Sequence, residues 1–255
     1  MSRISVLTFG AVVIALLVFS QQGFTKEETA HAVSHALGIS SPAIHSSLAE
    51  NPAGLAYIRL TEIYGAVSSP NRELNPVTYG GQIFFGEDRV GAGLGVFSDS
   101  TAEIGIASQI PSLRSALGAS ANIALKGGPT DLNIGWILGI ESDYRLGLVG
   151  YGILDGVDRL GLGFATELNR SATLAIDAGS DGNARAIGVK VSLGIHISAA
   201  QINMGYGLNI DDNNPSWARK GIAFAMGFKP ASRLQMSVYY NQIAQYYFTL
   251  GWQIP

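Results

Sequence analysis

His31 and His35 stand four residues apart in a stretch of helical spacing, so both imidazoles would share one helix face; His45 follows in a second short segment. Such a pair is the beginning of a zinc site. The glutamate that would make it a metalloprotease motif is missing, so packing is the role expected of these histidines, and no metal. A second set of chemically capable residues is charged or ionisable: Glu103, Lys126, Arg159, Glu167, Asp177, Arg185, Lys190 and His196. A buried carboxylate among such neighbours can be tuned for acid–base work. No serine, histidine and aspartate in a usable triad order accompany them, so a ladder of compensating charges is expected and no catalytic residue is assigned. His196 is expected to meet a plug segment. Gly91-Ala92-Gly93 and Gly161-Leu162-Gly163 open no helix and therefore do not read as phosphate loops. With no cysteine, thiolate catalysis, disulfides and zinc–thiolate sites are all excluded. No cofactor is expected.

The composition narrows the class further. Of 255 residues only 14% are charged and 32 are glycine, against about 25% and about 7% in an average chain. Disorder needs the opposite balance, with high net charge and few apolar residues. A net charge of −3 supplies no field for phosphates, so no nucleic-acid partner is expected. Mean hydropathy is positive, yet the one long apolar run is Ile4 to Phe19, behind Arg3 and ahead of polar Ser20, Gln21 and Gln22. A basic start, an apolar core and a small-residue exit make a secretory signal over residues 1–20, with a retained anchor helix as the alternative. Sixteen residues are short for a bilayer about 30 Å thick.

Two helical pieces should follow. Thr25-Lys26-Glu27-Glu28 has capping-box form, and Gly38 can close that helix after Leu37. Ser41-Pro42 starts a second helix, which should end before Pro52.

From residue 55 the period becomes two. Ile187, Val189, Val191, Leu193 and Ile195 alternate with Gly188, Lys190, Ser192 and Gly194. The same rhythm recurs in 201–210, 233–240, 159–164, 172–178, 222–228 and 248–254, and turn signals such as Asp155-Gly156, Asn169-Arg170 and Asp181-Gly182 separate the runs. About fourteen strands result, or twelve if weak runs near 74–108 merge. A soluble sandwich would turn its apolar face inward and clothe the other in charge. Here the second face is mostly Gly, Ala, Ser and Asn, a poor solvent surface and a suitable narrow lumen. The expected fold is all-β: a closed antiparallel transmembrane barrel whose apolar face meets lipid, because a spanning sheet must close on itself. The soluble sandwich stands as the alternative. Tyr57, Tyr64, Tyr79, Phe84, Phe85, Trp217, Tyr246, Tyr247 and Trp252, near run ends, are candidates for interfacial girdles.

Ala49-Glu50-Asn51-Pro52-Ala53-Gly54-Leu55-Ala56 resembles the end of the N-terminal hatch in the FadL-like superfamily of long-chain fatty-acid transporters, which includes PorV-type barrels. In that group an Asn-Pro-Ala-Gly-Leu-like motif precedes the first of fourteen strands. The resemblance implies a hatch over 21–54, fixed to the wall by Asn51, Pro52, Ala53 and Gly54, and a barrel over 55–255. It implies passage of small hydrophobic molecules past the hatch, with lateral exit where a strand is distorted; Gly80-Gly81 is the candidate kink. The departures are His45-Ser46 where the family often has paired Asp, a terminal Pro255 in place of Phe, and short candidate external loops at 66–74 and 211–216. Glu103, Arg159, Asp177, Lys190 and His196 would line the lumen. The expected location is the outer membrane of a Gram-negative bacterium, with membrane lipids and hydrophobic small molecules as partners and self-association open. A barrel that transports nothing, and acts as a scaffold, partner-binding or oligomeric lipid-organising protein, is the alternative function.

Overall fold

Alternating small or polar residues with large apolar ones gives each strand two unlike faces, and a sheet of such strands must choose which face to enclose. The computed structural model describes residues 38–40, 42, 47–69, 78–126, 130–139, 143–154, 157, 159–169, 171–181, 187–197, 200–209, 221–231, 233–241 and 246–254. The expected signal segment, His31, His35, His45, Arg185 and Trp217 lie outside them.

Among the described residues, fourteen antiparallel strands close into one barrel. They are β1 (Thr61–Ser69), β2 (Thr78–Glu87), β3 (Val90–Phe97), β4 (Thr101–Ile110), β5 (Ser115–Ala124), β6 (Thr130–Leu138) and β7 (Tyr144–Tyr151). The second half is β8 (Arg159–Asn169), β9 (Ala172–Asp181), β10 (Ile187–Ile197), β11 (Ala200–Asn209), β12 (Gly221–Ala231), β13 (Leu234–Asn241) and β14 (Tyr246–Ile254). Each pairs with its sequence neighbour, and β1 closes on β14 from Thr61↔Ile254 to Ser69↔Tyr246. Closure leaves no edge strand to pair with another chain. Both ends of the barrel chain therefore meet at one rim, the terminal rim, where the links 88–89 and 170–171 are two residues long. Links at the opposite rim, such as 70–77 and 210–220, are longer.

The polar and small face points inward. Asp177, Lys190, Ser192, Asn203 and Thr249 are buried, while Ile104, Leu162, Ile176, Val191 and Leu250 on the other face are exposed. The fourteen-strand expectation is met. The proposed aromatic girdle needs correction at two strand positions. Tyr79, Phe85 and Trp252 face outward, but Tyr64 and Phe84 are buried inside, edge to face with centroids 5.7 Å apart. Alternation fixes them there: Tyr64 shares its face with Glu62, and Phe84 with Gln82. Tyr57 lies in no strand; half-buried, it ends a helical turn that precedes β1.

Candidate functional site

The inner wall carries many glycines, and the described residues of the expected hatch rest on them, together with the turn that follows. Residues 38–40 form one 3₁₀ turn, Ser47–Glu50 a single α-turn and Pro52–Tyr57 a longer 3₁₀ turn, all packed against the inner wall. The last turn begins as its sequence dictates: Asn51 is extended (φ −155°) and caps Ala53, and Pro52 takes the first helical position, where a missing N–H costs nothing. It runs on past Gly54, so the strand expected from residue 55 starts at Thr61.

A Cβ added at Gly91, Gly118, Gly135, Gly147 or Gly163 would lie under 3.0 Å from Leu55, Pro52, Asn51, Ile39 and Ser40 respectively. Glycine is therefore a packing requirement at these sites, because backbone approaches wall backbone directly at Gly91, Gly118, Gly147 and Gly163 and the Asn51 side chain does so at Gly135. Apolar side chains complete the seat. Leu48, Leu55 and Ile58 from the hatch pack with Phe84, Tyr64 and Ile137 from the wall, and Ile39 packs with Val149 and Tyr151.

Short helical turns leave most of their peptide groups without internal partners, and buried ones need partners from elsewhere. The wall provides them. Ser120 Oγ donates to Leu48 O at 2.6 Å, Tyr151 hydroxyl to Glu50 O at 2.6 Å and Gln109 Nε2 to Ala56 O at 3.0 Å. Asn51 is the hub. Its Nδ2 donates to Ile39 O at 2.8 Å and to Leu148 O of β7 at 3.4 Å, and its Oδ1 accepts from Ala53 N–H at 3.1 Å. At the other end of the hatch, Ile39 N–H donates to Asp177 Oδ1 at 3.2 Å. Lys190 Nζ of β10 sits 3.8 Å from Asp177 Oδ2, and both side chains are almost wholly buried. Asp177 thus ties the hatch to β9 while carrying the charge that balances Lys190.

The remaining predicted residues separate. Glu103 meets Gln82 Nε2 at 3.5 Å. Glu167 pairs with Arg145 at 3.7 Å near the terminal rim. Arg159, at the start of β8, lies 5.0 Å over the ring of Tyr151. Lys126 lies exposed in the turn after β5. His196 pairs with Gln201 in the β10–β11 ladder. Gly80 and Gly81 sit in ladders that run without a register shift on both sides, to Ala66 and Gly65 and to Phe97 and Val96. Shifts in the described ladders fall instead at Glu167/Asn169 and Phe228/Ala231. Gln109, Ser120 and Tyr151 were not singled out from sequence. Their signal was present but weak: each is a polar group at an inward position beside Gly, Ala or Val, on a face that carries a second polar residue, Glu103, Asn122 and Arg145 respectively. Among the described residues no three His, Cys, Asp or Glu side chains come together as a metal cluster.

Neither protein-family models nor curated proteins match the sequence. Among solved structures the fold is similar to the Pseudomonas putida toluene transporter TodX, with a TM-score of 0.57 and 13% identity over 92% of this chain and 97% of that one. A triple variant of Rhodopseudomonas blastica porin aligns with a TM-score of 0.45 and 10% identity, over 75% of this chain and 96% of that one. At such identities the likeness to TodX is one of fold, a closed antiparallel barrel.

Proposed function

We propose that this chain is an outer-membrane barrel that binds and passes small hydrophobic molecules past an internal hatch. The observation that carries the reading is the inversion of its two faces. Ile104, Leu162 and Leu250 are about half exposed on the outer wall, while Asp177 and Lys190 are enclosed. In water such a wall would be an apolar patch wrapped around the molecule, far beyond what soluble monomers show. In a bilayer it is the required surface, and enclosure spares Lys190 the cost of about 2–4 kcal/mol that a basic group meets at the lipid midplane, and Asp177 a smaller cost. Short turns at the terminal rim and longer links opposite support a periplasmic position for that rim.

The hydrophobic preference follows from the hatch seat. Leu48, Leu55, Ile58 and Phe84 form an apolar contact between hatch and wall. A solute with apolar surface can replace that contact, whereas a polar one leaves it uncompensated. The fold shared with a toluene transporter supports the same reading. A sealed scaffold is the second reading, favoured by the direct backbone seating of the hatch on wall glycines.

The test is uptake in a Gram-negative host carrying the protein in its outer membrane. Labelled toluene and fatty acid should enter several-fold faster than in the empty host, with uptake of a small sugar unchanged. Outer-membrane insertion without faster hydrophobic uptake would leave the scaffold. Absence from that membrane would remove both readings.

A further inference from the structure

The outer wall is not uniformly ridged. Across β6, β7, β8 and β9 the register aligns Ile134, Gly150, Leu160 and Ser180 in one outward row. Two residues nearer the terminal rim, Trp136, Leu148, Leu162 and Ala178 form the next. Ile134, Trp136, Leu148, Leu160 and Leu162 rise as ridges; Gly150 makes the floor between Ile134 and Leu160, and Ala178 and Ser180 a low step beside Leu162 and Leu160. The depression has a volume of about 520 Å³ and a lining that is almost wholly apolar, within the range of ligand-binding pockets, roughly 300–1,000 Å³. Its floor is thin. The inward residues between the two rows are Gly135, Val149, Gly161 and Gly179, and a Cβ at Gly135 or Gly161 would strike Asn51 or Ile39 of the hatch. The wall here is one peptide layer, backed rigidly by the seated hatch.

We infer that this groove is a docking site for one acyl chain of a bilayer lipid in the outer leaflet. The occupant follows from position and shape. The groove opens on the face that meets hydrocarbon, in the half of the barrel nearer the longer links. It is lined by small residues between ridges, which lets a slim chain approach the backbone closely; a second barrel would rest on the ridges and leave the floor empty. Lipid tails are as apolar as leucine, so the preference comes from close packing against small residues, as it does between helices in membranes. The inference rests on the membrane placement proposed above and not on passage of solutes.

Trp136 in the groove and Trp252 on the outer face of β14 provide paired reporters. Two single-tryptophan proteins are needed, W217F/W252F and W136F/W217F, each refolded in phosphatidylcholine vesicles with a rising fraction of phosphatidylcholine brominated on its acyl chains. A docked chain predicts half-maximal quenching of Trp136 at a mole fraction about threefold lower than for Trp252, a preference well under the 1.4 kcal/mol that a tenfold difference requires. Filling the groove should erase the difference. Gly150→Leu is a suitable change, because a Cβ there meets Ile153 and Leu160 only at 3.5–3.9 Å; Ala178→Leu is the second. Coincident curves for the two tryptophans in the unfilled proteins would overturn the site. An unquenched Trp252 would overturn the membrane placement and the docking with it.

Discussion

Asn51 joins three parts of the chain with one side chain, and its partners explain why the amide is needed. Ile39 O and Leu148 O accept from it across sequence separations of 12 and 97, while Ala53 N–H donates to it. Asn51→Ala orphans buried peptide groups, each worth about 1–3 kcal/mol. The expected outcome is a loosened hatch in an intact barrel, read as faster proteolysis at residues 52–57 with unchanged strand circular dichroism. Asp177 and Lys190 make a second residue-scale case. Removing one buried partner leaves the other charge stranded, at about 3–5 kcal/mol, whereas replacing both with apolar groups is nearly neutral. Asp177→Ala should therefore destabilise the refolded barrel in urea far more than Asp177→Leu combined with Lys190→Met; equal losses would show that the charges do not sense each other. The motif around Asn51 was singled out by a resemblance, and Asp177 and Lys190 by their place on the small-residue face. Their joint role was not, because it depends on Ile39 arriving from 138 residues away in sequence.

Strands were the most legible elements, since period-two alternation is local. The runs read at 159–164, 172–178 and 248–254 all lie within observed strands. Alternation states that two faces differ, but not what fills the enclosed one, which is why Tyr64 and Phe84 were expected at a rim and are found against the hatch. The 3₁₀ turn Pro52–Tyr57 carries neither period and was read partly as strand. The glycine seat is the element-scale consequence. Gly118→Val should destabilise by about 1–3 kcal/mol through overpacking against Pro52 and Ala53. Gly65→Val, whose Cβ would meet nothing within 4 Å, should be neutral in the same urea titration. The seam between β6 and β7 makes a separate prediction. Its ladder is the shortest of those described, running only from Ile134↔Gly150 to Leu138↔Leu146, and Ile153 N–H bridges to Leu132 O beyond it. Local opening follows the number of cooperating hydrogen bonds. Amides along this seam should exchange with deuterium faster than those of β10 and β11, whose register spans Gly188↔Asn209 to Ile197↔Ala200; equal protection would mean the barrel opens only as a whole.

At the scale of the whole molecule, the two functional readings differ in where a solute could move. On the proposed reading, a hatch seated on the wall closes the lumen unless it shifts, so the wild-type protein should carry almost no ion current in a planar bilayer. Gly118→Val perturbs the seat without touching the lumen charges or the outer wall. A strain of one to two kcal/mol placed on the closed state raises the open population by roughly 5–30-fold, so the fraction of time spent conducting should rise by that factor. Relief by Asn51→Ala should act in the same direction, because it loosens the same contact from the hatch side. If both variants make the hatch sensitive to protease and the current stays at its wild-type level, the lumen is blocked independently of these contacts. Any hydrophobic uptake that persisted in those variants would then have to run along the outer wall, where the groove over β6–β9 lies, and the hatch would be a structural core that holds fourteen strands in register.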